Sequence, residues 1–461
     1  MNIGEVLEHW TLAFAIRELI ANGLDEQALT GTADPLIVKE SRTWVIEDSG
    51  RGLRYEHLTQ NESAEKRDHA AVIGQFGMGL KDALAVFDRR GVRVLVRSRH
   101  ADISTGRRAK DGFPDVVTLH ALVSPPTQPG RTGTRVELTG VSDADVAEAK
   151  SLFLRFSGDT LLETTSYGQV LARAGKKGPG RIYVKGLQVA VEENFLFSYN
   201  ITELSAALRK ALNRERSNVG RVAYSPRVKE ILTRCTSAAA AGPLAADLAN
   251  FSAGGMHDEL QWKDVAVHAC KVLQRHEKVV FVTPDELAEA SPQLRYAKED
   301  GYRLLVVSDD IAAALGRTTD LDGKPMVDLD RYRNEWNDSF SYTFVEPAAL
   351  TEAERAVLAL AEPAAAAAGV RKLASVGVRT VRVSETMRLS DGGHPVLGVW
   401  DGGNGAVVVR RDQLNSAAKF CGVLLHEIGH ARSGETDGSL EFEDELTRLL
   451  GAAAATALRG R

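Results

Sequence analysis

Hydrophobic and polar positions follow two different periods along the first 140 residues. Between residues 5 and 29 apolar positions recur every three or four residues, which predicts an amphipathic helix. Short β-rich runs follow in the segments PLIVKE, TWVIED, GVRVLVRS, DVVTLHALV and GTRVEL, separated by glycine-rich and polar stretches. This pattern predicts an α/β (α+β) sandwich in which helices pack on one mixed sheet.

The remaining pattern predicts two further regions. Residues 146–335 combine strand-like RIYVKGLQVAV and YRLLVVS with helix-like ITELSAALRKALNRE and PDELAEASPQLRYAKEDG. Residues 345–461 contain strand-like VRTVRVS, VLGVW and GAVVVRR, then a helix near 416–432, a polar turn and a last helix that begins at LEFEDEL. We therefore expect three domains, 1–145, 146–335 and 345–461, of which the last is a small α+β unit.

The composition favours a soluble globular protein. The 461 residues are too many for one ordinary core, and 44% hydrophobic and 26% charged residues are typical of globular chains. The net charge of -5 gives no general attraction to nucleic acid or anionic membrane. The stretch 97–110, RSRHADISTGRRAK, is locally basic, so nucleic-acid binding stays open beside a solvated hairpin. Because the chain shows neither a signal-peptide pattern nor a long apolar run, we expect a cytoplasmic protein without membrane contact.

The first predicted helix carries a polar stripe. Glu18, Asn22 and Asp25 are separated by offsets of four and seven residues, which places them on one helical face. A carboxylate on that face can polarise an attacking water, and an amide oxygen one turn away can coordinate Mg²⁺. A solvated polar face would show the same spacing, so this motif needs support from others.

Three glycine-containing motifs supply that support. Asp48 directly follows the strand TWVIE, where its carboxylate can accept a hydrogen bond from an adenine amino group, and the glycines after it let the backbone approach the base. The loop GQFGMGLK opens a helix and offers backbone N–H groups to phosphate, but it lacks the features of a Rossmann or P-loop motif. A threonine hydroxyl in GTRVEL can support Asp48 at the base. The residues of the three motifs are Asp48, Gly50, Gly52, Gly74, Gly77, Gly79, Leu80, Lys81 and Thr134.

In this order the four motifs resemble the Bergerat ATP-binding fold of GHKL ATPases. Gyrase, the ninety-kilodalton heat-shock chaperones, histidine kinases, MutL and MORC proteins share that fold, and IGQFGMGLKDAL is similar to the chaperone and MORC versions. The resemblance covers about the first 140 residues. It implies that Glu18 is the general base, Asn22 the Mg²⁺ ligand and Asp48 the adenine anchor, with Asp25 completing the helix motif. Glu26 departs from the family, in which a small residue usually follows the aspartate.

The resemblance also implies how the phosphates are held. The glycine-rich loop and Lys81 would cradle them, Thr134 would support the base, and residues 53–73 would form a mobile lid. A general base at Glu18 favours hydrolysis over histidine-kinase chemistry. In the gyrase, MutL and chaperone branch the following domain supplies a cation to the γ-phosphate. The segment LRKALNRERSNV is similar to the chaperone segment, and the candidates are Arg214, Arg216 and, more distantly, Lys185, beside a solvated helix end.

A metal-binding pattern occurs near the C-terminus. VLLHEIGHA places His426 and His430 four residues apart on a helix, close enough to share Zn²⁺, and Glu427 beside them can act as a base. The upstream strand and the apolar helix face favour a zinc site over two structural histidines. The layout resembles minimal gluzincins, in which a downstream glutamate completes the site. Glu443 is the preferred third ligand because it follows the apolar Phe442, and the alternatives are Glu441, Glu445 and Asp437.

These patterns together predict an ATP-binding and ATP-hydrolysing protein with a zinc-dependent peptidase module. We expect a Bergerat ATPase domain, a transducer-like middle region and a zincin-like C-terminal domain, with ATP, Mg²⁺ and Zn²⁺ as ligands. Nucleotide would gate proteolysis of an unknown protein substrate, with a possible nucleotide-dependent homodimer. The alternative is a chaperone-like or MORC-like ATPase clamp whose zincin domain only binds a partner.

Overall fold

The structure of the chain is a computed structural model that describes residues 8, 10–59, 72–73, 79–175, 178–212, 219–248, 250, 256–289 and 291–459. It is a mixed α/β protein with several sheets, which confirms the predicted fold class at that level. The chain divides into two compact units, Met1–Leu273 and Gln274–Arg461. The three-domain division stays a prediction.

The first sheet is formed by six strands of the first unit. Their bounds are Leu36–Glu40 (β1), Thr43–Glu47 (β2), Arg93–Ser98 (β3), Asp102–Lys110 (β4), Phe113–Ser124 (β5) and Thr134–Thr139 (β6). The strand order is β1-β2-β6-β3-β4-β5 and every pair is antiparallel. The expected mixed sheet is therefore wrong, because β6 inserts between β2 and β3 and runs opposite to both.

Two helices carry the polar stripe and the end of the glycine-rich motif to this sheet. Helix α1 spans Leu12–Thr30; the Thr11 hydroxyl caps its start by accepting from Phe14 N at 3.4 Å, and Gly31 ends it with a φ of 65°. Helix α2 spans Gly79–Arg89. The apolar faces of both helices join the strands in one core. Its largest fully buried members include Trp10, Ile16, Ile20 and Phe87.

A second sheet completes the strands of the first unit. Its strands are Thr160–Thr164 (β7), Gly168–Ala172 (β8), Gly180–Val184 (β9), Leu187–Glu192 (β10) and Ser198–Ile201 (β11), in the order β10-β9-β11-β8-β7. Only β9 and β11 pair in parallel. The other helices that begin in the first unit are Asp143–Ser151 (α3), Leu154–Ser157 (α4), Ala206–Ala211 (α5), Arg221–Leu232 (α6), Ala238–Leu248 (α7) and Lys263–His276 (α8), and of these α3 packs on α1 in the core of the first sheet.

The second unit begins with a parallel strand pair, Val279–Val282 (β12) and Arg303–Val306 (β13). Strands Thr380–Ser384 (β14), Gly398–Asp401 (β15) and Ala406–Arg410 (β16) form a further sheet in the order β14-β16-β15. The helices of the second unit are Pro284–Ala288 (α9), Pro292–Glu299 (α10), Asp309–Leu315 (α11), Leu329–Ser339 (α12), Glu352–Leu358 (α13), Ala361–Ala367 (α14), Ala417–Ser433 (α15) and Leu440–Arg459 (α16).

Helix α15 is the predicted histidine-bearing helix, and its expected bounds of 416–432 are confirmed to within one residue. Its buried residues Phe420, Leu424 and Ile428 share a core with Val407 and Val409 of β16, which fixes the helix against the sheet. In the described part of the chain, no helix is both long and apolar enough to cross a membrane.

Candidate functional site

The stripe on α1 is present, and its first member has a partner that the sequence did not indicate. Arg17 is fully buried, and its Nε and Nη2 lie 3.0 and 2.6 Å from Glu18 Oε1. The guanidinium lies 5.4 Å from the Trp10 ring and 4.9 Å from the Phe14 ring. Cation–π contacts and a charge-assisted hydrogen bond therefore hold one oxygen of the Glu18 carboxylate in place.

The other Glu18 oxygen faces the beginning of α2. A Cβ at Gly79 would overlap Glu18 Oε2, so only glycine allows this approach. The carboxylate thus lies against the helix terminus at which the glycine-rich loop ends, next to Leu80 and Lys81. Gly74 and Gly77 lie outside the described residues.

Asp48 lies at the end of β2 with its carboxylate directed at backbone groups. Its Oδ1 accepts from Gly50 N at 2.9 Å and from Thr134 N at 3.3 Å. Burial raises the pKa of Asp48 and the charge of Glu26 adds to this, while the N–H groups of Gly50 and Thr134 oppose it. Gly133, with a φ of 75°, permits the close pairing of the two strands, because a Cβ there would overlap the Asp48 carbonyl.

Both described ends of the predicted lid segment are held by site residues. At its start, Leu53 N donates to Thr134 Oγ1 at 2.9 Å, and Ser98 Oγ donates to the Leu53 carbonyl at 2.6 Å. At its end, Ile73 N donates to Asp25 Oδ1 at 2.6 Å, and Asp25 is fully buried. Asp25 and Thr134 thus have structural contacts besides the roles the family resemblance implies. Residues 60–71 of the segment lie outside the described residues.

One of the three candidate cations is described, and it lies beside the same segment. Lys185 occupies the turn between β9 and β10 with a φ of 50°, a conformation uncommon for a non-glycine residue. Its Nζ donates to the Val72 carbonyl at 3.4 Å. Arg214 and Arg216 lie outside the described residues. The second sheet therefore brings a positive charge to within reach of the segment that α1 also contacts.

The metal motif of α15 is well formed. His426 and His430 lie one turn apart with their Nε2 atoms separated by 3.2 Å. The helix ends at Gly434, whose φ of 72° turns the chain back toward the histidines. This turn brings Asp437 Oδ1 to 3.0 Å from His426 Nε2 and 3.3 Å from His430 Nε2. Among the described residues, these three form a group whose ligand atoms can share one ion.

The hydrogen bonding of His430 supports a cation at this point. Its Nδ1 lies 2.8 Å from the Glu435 carbonyl, which can only accept, so Nδ1 carries a proton. The other ring nitrogen, Nε2, faces the Asp437 carboxylate and His426 Nε2. Electron-rich atoms converge in this way around a proton or a metal ion, and a carbonyl on the far nitrogen is the usual outer partner of a ligating histidine.

The separations also match a metal site. Zinc bonds of about 2.1 Å in a tetrahedral arrangement place neighbouring ligand atoms roughly 3.4 Å apart. The three separations here are 3.0, 3.2 and 3.3 Å. The Phe442 ring stacks on His430 at 4.2 Å between ring centres and contacts His426 at 5.0 Å, which restricts both imidazoles. The residues present therefore fit a zinc ion with one open position.

The structure does not bring the preferred third ligand, Glu443, to the histidines. Phe442 points into the core beside them, and the next residue of a helix points about 100° away, so Glu443 is exposed. Glu441 is exposed as well, and Glu445 is buried in ion pairs with Arg432 and Arg448. The alternative Asp437 is the carboxylate that joins the group, because the turn after α15 is short enough to return it.

Glu427 lies in the same cleft with its carboxylate almost fully buried. Burial raises its pKa to about 7, with a smaller contribution from the charge of Asp437, while His430 and the Trp400 N–H act in the opposite direction. The Trp400 N–H belongs to β15, the edge strand of its sheet. The cleft has a volume of 780 Å³ and is lined by residues 396–400, by α15 and by the turn 434–437. A buried carboxylate, a metal-compatible group and the edge strand β15 thus share one cleft.

Gly398 provides a steric test of this packing. A Cβ at this position would overlap Val423 Cγ1 and lie 2.8 Å from Glu427 Oε1. We expect Gly398→Ala to lower the free energy of unfolding by about 1–3 kcal/mol, because either the strand or the helix must shift. The matched control is Gly422→Ala on α15, where nothing lies within 4 Å and alanine should stabilise the helix by about 0.5–1 kcal/mol. Urea denaturation followed by circular dichroism measures both, and equal effects would contradict this packing.

The basic stretch 97–110 forms the end of β3, a turn and β4. Arg97 pairs with Glu137, and Arg107 pairs with Asp88 of α2. Part of its positive charge is therefore compensated within the sheet, which weakens the case for a nucleic-acid surface.

One family model and two M. pneumoniae proteins resemble this chain, and the family model matches within the first unit. Residues 144–238, which include the second sheet and Lys185, match the family model described as the Mycoplasma pneumoniae MPN635 N-terminal domain. The chain is 36% identical over 237 residues to an uncharacterized protein of M. pneumoniae strain M129, covering 50% of this chain and 95% of that protein. A second uncharacterized protein of that strain is 33% identical over 111 residues, which cover 24% of this chain and 31% of that protein.

Proposed function

The chain belongs to the family of the M. pneumoniae protein that it matches over 95% of that protein's length, and from the geometry of its sites we propose that it is a GHKL-type ATPase with a zinc-dependent peptidase module. The proposed architecture is a Bergerat ATP-binding domain, a transducer-like middle region and a zincin-like C-terminal domain. Neither the family match nor the relatives' names indicate an activity, so the proposal depends on the residues of the two sites.

One observation carries the ATPase proposal: the described residues of four motifs that are distant in sequence lie close to one another in pairs. Glu18 lies against Gly79, and Asp48 shares hydrogen bonds with Thr134. Asp25, one helical turn beyond Asn22, fixes Ile73. An arrangement of a base, an amide, a buried carboxylate and a helix N-terminus supports binding of a purine nucleotide with Mg²⁺.

The chemistry can be assigned to individual atoms. Because Arg17 holds Glu18 Oε1, Oε2 is the oxygen that faces the phosphate side and would take a proton from the attacking water. The Asn22 amide oxygen would hold Mg²⁺, which neutralises phosphate charge. The Asp48 carboxylate would accept from the adenine amino group while Gly52, with a φ of 86°, keeps the backbone close to the base.

Lys185 is the cation that the described residues support for the γ-phosphate. Its Nζ already contacts the Val72 carbonyl at the end of the lid segment, and its turn projects from the matched family region. Backbone strain at such a position is retained mainly where the surroundings require it. Arg214 and Arg216 remain alternatives that lie outside the described residues.

The second activity is proposed from the cleft on α15. His426, His430 and Asp437 would hold zinc, which supplies Lewis acidity for attack on a peptide carbonyl. Glu427 would accept the proton of the attacking water, and the outer edge of β15 would bind the substrate backbone as an added strand. Gating of this cleft by nucleotide is proposed because both centres belong to one chain.

The competing function is an ATPase clamp whose zincin domain only binds a partner. A binding module needs the fold of the cleft but has no need of a base. Glu427 is 5% exposed, and the hydrogen bond from the Trp400 N–H does not fully offset the cost of burying its carboxylate, because the pKa of Glu427 remains raised to about 7. The position of Glu427 beside the metal group therefore favours peptidase activity.

Titration of the purified chain with Mg·ATP in a calorimeter tests the first half of the proposal. We expect saturable binding, and Asp48→Asn should weaken it by about 10- to 100-fold, since it removes a charged acceptor for the adenine amino group. Glu148→Ala, at an exposed position on α3, is the control and should bind like the wild type. Absence of ATP binding by the wild type would refute the ATPase proposal.

A further inference from the structure

Glu26 clasps the loop that follows Asp48. Its Oε1 accepts from the Arg51 backbone N–H at 2.8 Å and from Arg51 Nε at 2.9 Å, and its Oε2 accepts from Arg51 Nη2 at 3.0 Å. A carboxylate that binds both the main chain and the guanidinium of one residue fixes that residue in position and direction. We call this set of hydrogen bonds between Glu26 and Arg51 the clasp. It joins α1 to a loop 25 residues away in sequence.

The clasp acts on the part of the loop that determines the direction of Asp48. A Cβ at Gly50 would lie 2.6 Å from Glu26 Oε1, so Gly50 packs directly on the clasping carboxylate. The Gly50 N–H in turn donates to Asp48 Oδ1 at 2.9 Å. A continuous chain of contacts therefore runs from Glu26 through Gly50 to the carboxylate that would bind adenine.

The exposure of the two side chains differs from that of a solvated surface pair. Glu26 is 19% exposed, whereas Arg51 is 51% exposed. The carboxylate is thus sheltered between the helix and the loop, where ion pairs and hydrogen bonds are screened less by water. Such a pair can hold a loop, while exposed pairs contribute little.

We propose that Glu26 is a positioning residue that gives the site its preference for adenine, by holding residues 48–52 through Arg51. This inference rests on the proposed ATPase function. Without the clasp the loop can move, and the Asp48 carboxylate loses the direction needed to accept from a purine 6-amino group. The contacts proposed for the triphosphate, from α1, the start of α2 and Lys185, would not depend on the clasp.

The test compares ATP with inosine triphosphate, which carries a carbonyl where adenine carries the amino group. The wild type should bind ATP more tightly. Glu26→Ala should weaken ATP binding about 10-fold and leave inosine triphosphate binding unchanged, so the preference shrinks. Glu26→Gln, which keeps an acceptor for the Arg51 N–H, should lose less. Arg51→Ala should resemble Glu26→Ala, and the double variant should be no worse than either single variant.

The control and the contradicting outcomes separate this inference from the ATPase proposal. Glu40→Ala removes an ion pair with Arg135 in the same sheet and should leave both nucleotides unaffected. If Glu26→Ala lowered the affinity for both nucleotides equally, Glu26 would have a merely structural role. If it changed neither affinity, Glu26 would not be a positioning residue. If the wild type bound neither nucleotide, the ATPase proposal itself would fail.

Discussion

Replacing Glu18 by alanine is expected to reduce ATP hydrolysis by about 100-fold or more while Mg·ATP binding is retained. A general base contributes roughly 10²- to 10⁴-fold to such a reaction, and Glu18 Oε2 is the carboxylate oxygen that faces the start of α2. Phosphate release at saturating ATP measures the first quantity, and calorimetry measures the second. The two readouts separate loss of the base from loss of the binding site.

Glu148→Ala is again the matched control, because it removes an exposed glutamate from another helix of the same unit. Its turnover should equal that of the wild type. Equal turnover by wild type and Glu18→Ala would assign the base elsewhere. A variant that no longer binds nucleotide would indicate that Glu18, through Arg17, mainly holds the structure of α1.

Glu427→Gln is expected to abolish peptide cleavage, again by about 100-fold or more, with zinc retained. The substitution keeps the size of the side chain but removes the group that accepts a proton, and it leaves the histidines and Asp437 unchanged. Release of labelled peptides from fluorescein-labelled casein, followed with and without ATP, measures cleavage and its dependence on nucleotide. Elemental analysis of the same samples measures zinc.

Glu443→Gln is the informative control for this experiment. Because Glu443 is exposed and Asp437 joins the histidines, Glu443→Gln should retain both zinc and cleavage. If Glu443→Gln lost zinc, Glu443 would be the third ligand after all. If the zinc-bound wild type cleaved casein no faster than Glu427→Gln does, the partner-binding alternative would be favoured. If the rate of cleavage changed neither with ATP nor in Glu18→Ala, nucleotide gating would be refuted while the peptidase proposal would stand.

Local pattern was sufficient to predict the elements that carry the motifs. The apolar spacing of α15 gave its bounds to within one residue. The same periodicity gave the first and last helices, but the expected start of the first near residue 5 is wrong, because Thr11 caps α1 and the helix begins at Leu12. The geometry of a helix then fixes which residues share a face, so the approach of His426 to His430 follows from their spacing alone. The polar stripe that begins at Glu18 was predictable for the same reason.

Contacts between distant segments had no such local signal. The insertion of β6 between β2 and β3 depends on pairing across the whole domain, and this made the expected mixed sheet wrong. The choice of Asp437 depends on the left-handed residue Gly434, whose effect on the path of the chain is visible only in three dimensions. The clasp of Glu26 on Arg51 likewise joins segments that no periodicity connects.

The contacts of Arg17 include some that local spacing predicts and some that it does not. Phe14 and Arg17 lie three residues apart on α1, so their contact was predictable, whereas Trp10 precedes the helix and its contact with Arg17 was not. The hydrogen bonds of Arg17 to the neighbouring Glu18 were not predictable either, because adjacent helical residues ordinarily point in different directions. The long side chain of arginine bridges that difference.

Native mass spectrometry of the untagged chain in the presence of Mg·ATP tests the central claim, that one chain contains both a nucleotide site and a zinc site. The account predicts a species that carries about one zinc ion and one nucleotide per chain. Asp48→Asn should lose the nucleotide and keep zinc, and His430→Ala should lose zinc and keep the nucleotide. A wild-type chain that carried neither ligand, or variants that lost both together, would contradict the account.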